Sequence, residues 1–344
     1  MTTLKTLSLS GLALAAIGTT ACAEGALNIY NFGLYTPPDL IEKFEKKYDI
    51  DVTVTEFDAN EQAMAKIEAG GHGFDVIVSS GYFVPVYLEK GLLLESRPDQ
   101  MENFGNIAAD WATPSFDPDR HYTAPWVWGT TGVMVNTKLY DGDINTAAMF
   151  LDPPDALKGS INVVPTMNDT IDMTLTYLGG TPCTDDKAML KAARDKLLEA
   201  KANWASIDYA SFEKFVNEDL NASLFWSGAS MRIRESNPGF AYGYPKEGFP
   251  VWQDNVAVLA DAQNVDNAKL FLNFIMAPEN AALLSNYLGY GNGITGSEEF
   301  MTPGLTDQPE MNIPEDLAGA GFPQQLCSPD VQKLYTQIWT ELTK

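Results

Sequence analysis

Apolar and polar positions along the first eighty residues alternate between a period of two and a period near 3.6. Ala26-Leu27-Asn28-Ile29-Tyr30-Asn31-Phe32 reads as a strand, and Tyr35-Thr36-Pro37-Pro38 as a turn into a helix. Prolines suit a helix start, where an amide donor would be unpaired anyway. Leu40, Ile41, Phe44 and Tyr48 then recur at helical spacing. Residues 51–57 alternate as a second strand, Asn60 can cap a helix carrying Met64 and Ile67, and Phe74-Asp75-Val76-Ile77-Val78 is a compact apolar strand. This strand–helix–strand–helix–strand order predicts a mainly parallel sheet with helices on its faces. Residues 97–120, rich in Pro, Asp and Asn, are expected to wrap the surface. Residues 126–136 resume strand character as a crossover into a second lobe, which would hold a strand over 161–164, a helix near Asp169, a helix over 185–201 and a strand over 222–226. Helices are predicted over 265–276 and 278–288, and from Ser328-Pro329-Asp330 to the end, with Val331, Leu334, Ile338 and Leu342 on one face.

In such sheets ligands sit beyond the carboxyl ends of the strands. The loops 31–35 and 79–83 occupy such ends and offer Phe32, Tyr35, Ser80 and Tyr82; Trp226 also lies at a strand end. The run Val251-Trp252-Gln253-Asp254-Asn255-Val256 reads as a strand that sends Trp252 and Asp254 to one face. A ring and an anion on one face can together hold an organic ammonium ion. Taken alone, the pair reads first as a buried Trp beside a surface or turn acid, and the rest of the chain has to move that balance.

The ends and the composition narrow the class. Residues 1–23 carry one charge, Lys5, an apolar run from Leu7 to Ile17, and Ala21-Cys22-Ala23 in small-x-small form. This predicts a secretory leader cleaved near Ala23, in preference to lipid attachment at Cys22, because Thr19-Thr20-Ala21 lacks the aliphatic residue that lipid sites begin with. The 344 residues, 45% hydrophobic and 20% charged, suffice for two lobes of conventional size. Removing the leader leaves 21 basic against 46 acidic residues, a net charge of −25 that argues against nucleic acid as a partner. Cys183 and Cys327 would remain, and the sequence leaves their pairing open. His72 and His121 read as surface loop residues. No metal-ligand spacing, phosphate loop, nucleophile elbow or zinc-protease motif is present, so neither a cofactor nor an enzyme is expected, and a secreted hydrolase using an Asp pair is the remote alternative.

With these pieces placed, the chain resembles the spermidine/putrescine-binding family of periplasmic proteins, the receptors of polyamine uptake transporters. The resemblance runs from about Leu27 to the end. It rests on residues 30–38 (YNFGLYTPP), 74–82 (FDVIVSSGY), 125–129 (PWVWG), 225–228 (FWSG), 245–248 (PKEG) and Trp252-Gln253-Asp254. It implies a type II-like, two-lobed α/β periplasmic binding protein fold, with two mainly parallel-core sheets flanked by helices and joined by crossing hinge strands. The lobes would be 24–132 plus 254–291 and 133–253 plus 292–344. It further implies a monomeric periplasmic receptor for a small cationic amine, read by the permease subunits of an ABC transporter and meeting the membrane only through them. Carried over position by position, the implied cleft is Phe32, where the family usually has Trp, with Tyr35, Ser80, Tyr82, Asp169, Trp226, Trp252, Asp254, Tyr290 and Gln325. Asp254 would be the principal amine anchor.

Departures from the family pattern bear on the ligand. Leu34, Thr166 and Ala229 stand where some members carry an acid. With Asp169 and Asp254 the only acids carried over, two ammonium groups fit better than three, and putrescine is expected over spermidine. A ligand with one ammonium and a neutral or anionic far end, such as an amino acid or guanidino compound, is the alternative on the same fold.

Overall fold

Ten strands form the frame of the chain, which a computed structural model describes over residues 25–210 and 212–344. The expected leader lies outside the described residues. The strands are β1 (Gly25–Phe32), β2 (Ile50–Phe57), β3 (Val76–Ser80), β4 (Thr123–Asn136), β5 (Ile161–Val163), β6 (Trp204–Ile207), β7 (Ala222–Trp226), β8 (Phe240–Gly243), β9 (Phe249–Val258) and β10 (Gly321–Pro323). Their hydrogen-bonded order is β2-β1-β3-β9-β4-β7-β5-β6, with β10 added to β9 and β8 to β4. The outer groups β2-β1-β3 and β7-β5-β6 are parallel, whereas β9 and β4 pair antiparallel with each other and with β3 and β7. Two long antiparallel strands therefore cross between two parallel α/β units, the architecture of a two-lobed binding protein.

The cores follow the same division. One gathers β5, β7 and the second half of β4 (Val133, Met134, Val135) with Leu190, Leu197, Tyr335 and Leu342 from two helices. Another gathers β1, β3 and the first half of β4 (Trp126, Val127) with Phe271, Phe274 and Leu288, and a third lies under Tyr30, Ile77 and Tyr87. β4 thus leaves one core and enters the other, which makes it a connector between units. Helices start where the sequence supplies proline, at Pro38, Pro278 and Pro329, and the helix Pro278–Leu288 stops at Gly289 with φ 75°, a conformation glycine takes without steric cost.

Several local expectations are corrected. β3 begins at Val76, because Asp75 has another role: its buried carboxylate accepts from the backbone amides of Asn28, Gln263 and Asn264, tying β1 to the segment after β9. Asn60 is the first helical residue rather than the cap, and its side chain turns inward to β3. The segment 97–120 does run over the surface in short turns, but it ends in a fully buried arginine. Arg120 has φ 51°, and its guanidinium donates to Asn255 Oδ1 (2.7 Å), Gln253 Oε1 (2.8 Å), Thr123 Oγ1 (3.0 Å) and the Trp111 carbonyl (2.6 Å). Burial among these neutral acceptors pulls it down to about 9. The imidazole of His72 is also buried, stacked on Phe74 at 5.2 Å and accepting from the Phe74 amide at Nδ1. Cys183 and Cys327 are joined in a disulfide.

Candidate functional site

Strand alternation on β9 builds the centre of the site. Gln253 and Asn255 point to Arg120 on one face, so Trp252 and Asp254 point to the other. There Trp252 meets Tyr290 edge to face, 5.0 Å between ring centres at 72°, and Asp254 accepts a 2.7 Å hydrogen bond from Tyr35 Oη. Tyr35 lies 6.3 Å from the Tyr290 ring, and Phe32 presents an edge to Tyr35 at 5.7 Å. The rings fit because two positions lack a Cβ, Gly129 on β4 and Gly228 in the first turn of the helix Ser227–Ser236. At Gly129 a Cβ would come within 2.7 Å of the Trp252 ring and 2.9 Å of Tyr290, and at Gly228 within 2.6 Å of Tyr290.

The second wall comes from β3. Ser80 stands directly opposite Asp254 in the β3–β9 register. Its Oγ accepts from Asn60 Nδ2 at 3.2 Å, and this leaves the hydroxyl proton free to reach the Asp254 carboxylate. The same amide nitrogen reaches Tyr82 Oη at 3.5 Å, while Asn60 Oδ1 accepts from Ser79 Oγ and the Ser80 amide. Burial raises the Tyr82 hydroxyl far above the ordinary tyrosine range, and the negative charges of Glu61, Asp169 and Asp254 act in the same direction.

Asp169 enters from the other unit, in the first turn of the helix Met167–Tyr177 that follows β5. Its Oδ2 accepts from Thr131 Oγ1 on β4 and its Oδ1 from Gln324 Nε2, both at 2.6 Å. Asp169 is 1% exposed and Asp254 7%, so both carboxylates are effectively out of water. Desolvation pushes Asp254 up to about 6, with repulsion from Asp169 acting in the same direction, and burial also raises Asp169. The donors that face them, Tyr35, Ser80, Thr131 and Gln324, are all uncharged. Two buried carboxylates thus lie close enough to repel each other beside a set of aromatic rings, and their hydrogen-bond donors are uncharged; Arg232 acts on Tyr35 and Tyr290, and its guanidinium donates to the Leu288 carbonyl. A cationic group could supply the counter-charge that these donors do not, and an apolar stem could lie against the rings.

The structure brings together Phe32, Tyr35, Ser80, Tyr82, Trp252, Asp254 and Tyr290, and sets Asp169 against the same space. Trp226 is half-buried between the two main cores. Gln325 is the exception. Its side chain is exposed and only its carbonyl is engaged, by Asn168, while the preceding residue, Gln324, reaches Asp169. Residue spacing missed Thr131, Asn60, Gln324 and Tyr209. Tyr209 stacks on Trp226 at 6.0 Å and donates to the Asp58 carbonyl of the opposite unit at 2.8 Å. Alternation along β4 could have found Thr131; the others depend on long-range placement.

The family described as bacterial extracellular solute-binding protein matches residues 39–313. The spermidine/putrescine-binding periplasmic protein of Escherichia coli K12 is 27% identical over 299 residues, 86% of each chain. The putrescine-binding periplasmic protein PotF of the same organism is 28% identical over 369 residues, covering 99% of both. A solved structure from Listeria monocytogenes, assigned provisionally to spermidine/putrescine ABC transport, superposes with a TM-score of 0.85 at 30% identity, covering 92% of this chain and 98% of that one.

Proposed function

The chain belongs to the bacterial extracellular solute-binding protein family, which binds solutes for transporters rather than transforming them, and on that premise we propose that it is the periplasmic receptor of an ABC uptake system for a polyamine, with putrescine preferred over spermidine. The observation that carries this reading is the pair of buried carboxylates, Asp169 and Asp254, faced only by uncharged donors and walled by Tyr35, Tyr82, Trp252 and Tyr290. One ammonium would sit on Asp254 beside Tyr35 and Ser80, the other on Asp169 beside Gln324 and Thr131, with the methylenes against the rings. Leu34, Thr166 and Ala229 supply no third carboxylate at the positions where some relatives of this resemblance carry one, which supports a diamine. Relatives named for spermidine and putrescine support the ligand class.

The energetics are adequate. Micromolar affinity requires about −8 kcal/mol. Two charge-assisted hydrogen-bond sets contribute about 1.5–3 kcal/mol each, several cation–π contacts about 0.5–2 each, and each buried methylene about 0.8; the sum exceeds the requirement before association costs. Ligand would favour the closed arrangement because only there do groups from both units contact it, and the closed form would be read by permease subunits. We carry the lobe boundaries 24–132 plus 254–291 and 133–253 plus 292–344 as part of the same proposal.

A thermal-shift screen over diamines, polyamines, amino acids and guanidino compounds tests the reading. Putrescine should raise the melting temperature most; a response confined to amino acids or guanidino compounds would replace the polyamine assignment.

A further inference from the structure

We propose that the Cys183–Cys327 disulfide is a positioning element of the ligand site, strapping residues 321–328 across the helix Met167–Tyr177 so that Gln324 stays on Asp169. The inference rests on the reading that Asp169 receives an ammonium group. One end of the strap is fixed by sheet pairing: β10 runs parallel to Phe249–Val251, and the Gln324 amide donates to the Val251 carbonyl at 2.9 Å. The other end is fixed three residues later by the bond from Cys327 to Cys183. Between them Gln325 and Leu326 are exposed, and Cys327 is the side chain that the strap contributes to the core. The helix Pro329–Leu342 starts two residues later and packs Val331 and Tyr335 into the same core, so the disulfide and the start of that helix together hold this end down.

The helix beneath supplies the line of contact. Asp169 and Asp172 are three residues apart and share a face. Asp169 accepts from Gln324 Nε2 at 2.6 Å; Asp172 accepts from the Cys183 amide at 3.1 Å and from Tyr335 Oη at 2.6 Å. Asn168 adds a 3.5 Å contact to the Gln325 carbonyl, and Gln332 donates to Asn168 Oδ1 at 3.2 Å. The disulfide, the Asp172 cluster, the strap and Asp169 form one continuous arrangement. Opening the bond with a dithiol reductant converts it to two thiols, the reductant closing to its own disulfide, and releases the strap at Cys327, three residues beyond Gln324, leaving the Gln324 side chain positioned from the β10 side alone.

The test compares wild type, Cys183→Ser/Cys327→Ser, Gln324→Ala and the triple variant by putrescine calorimetry and by amide hydrogen exchange. Losing a hydrogen bond to a charged group at the site corresponds to about a tenfold loss of affinity. Both the serine variant and Gln324→Ala should show that loss, and the triple variant should bind no more weakly than either, because all three lose the same contact. Exchange over 321–328 should accelerate in the serine variant, with β1–β3 unchanged. Wild-type affinity in the serine variant, additive losses in the triple variant, or unchanged exchange over 321–328 would overturn the proposal. If the serine variant fails to fold, the folded wild type held in dithiothreitol gives the same comparison. If oxidised wild type binds no amine, the polyamine reading fails, and hydrogen exchange alone decides the strap.

Discussion

Replacing Asp254 with asparagine should make the ligand-free protein more stable and nearly abolish amine binding. The carboxyl is pushed up to about 6 by burial, from an ordinary 3.8. An acid whose folded pKa lies above its unfolded one favours the fold while protonated, and that contribution is lost as pH rises from about 4 through 6. Above this window the ionised Asp254 costs about 3 kcal/mol, the gap between 3.8 and about 6 taken at 1.36 kcal/mol per pH unit. Asparagine removes the ionisation and keeps an oxygen that can accept from Tyr35 Oη and Ser80 Oγ. At pH 8 the variant should therefore gain up to about 3 kcal/mol in denaturant unfolding without ligand, and the gain should vanish near pH 4. The same change leaves a bound ammonium desolvated without its counter-charge, which costs about 2–5 kcal/mol, or roughly thirtyfold to several thousandfold in affinity. Chemical denaturation and calorimetry on the same samples read both effects. Affinity within threefold of wild type would refute Asp254 as the anchor, and a parallel fall in stability at pH 8 would refute the assignment of an electrostatic cost.

Protonation of Asp254 should compete with a dication, so putrescine affinity is expected to fall about tenfold between pH 8 and pH 5, as a pKa of about 6 requires; a flat dissociation constant over that range would contradict this. Gly129→Ala places a Cβ within 2.7 Å of the Trp252 ring and 2.9 Å of Tyr290, and displacement of both rings should cost about 1–3 kcal/mol of stability together with most of the amine affinity, read by denaturation and calorimetry. Burial pushes Asp172 up to about 7, so Asp172→Asn should relieve up to about 4 kcal/mol at pH 8 and almost nothing at pH 4; an equal shift at both values in thermal melts would point to packing instead.

The parts of the site legible in the sequence are those set by local period. Alternation on β9 places Trp252 with Asp254, and the ends of β1 and β3 deliver Tyr35 and Ser80, because each depends only on strand geometry. Gln324 was not legible: Gly321-Phe322-Pro323 is too short to announce itself as a strand and is held by pairing with a segment seventy residues away. A one-residue difference then exchanges Gln324 for Gln325, since neighbours on an extended chain face opposite ways. Asn60 looked like a helix cap from its residue type, and the tertiary demand of Ser79 and Ser80 overrides that local preference. Arg120 was hidden in a polar stretch whose composition signals surface, and its burial is set by acceptors on β9, more than 130 residues further along.

The most direct test of a two-carboxylate diamine site is calorimetric titration of the ligand-stripped protein with putrescine and with spermidine. The account predicts one ligand per chain, with putrescine binding more tightly than spermidine. Tighter spermidine binding would contradict the diamine preference, and the absence of heat with every diamine and polyamine would contradict the site itself.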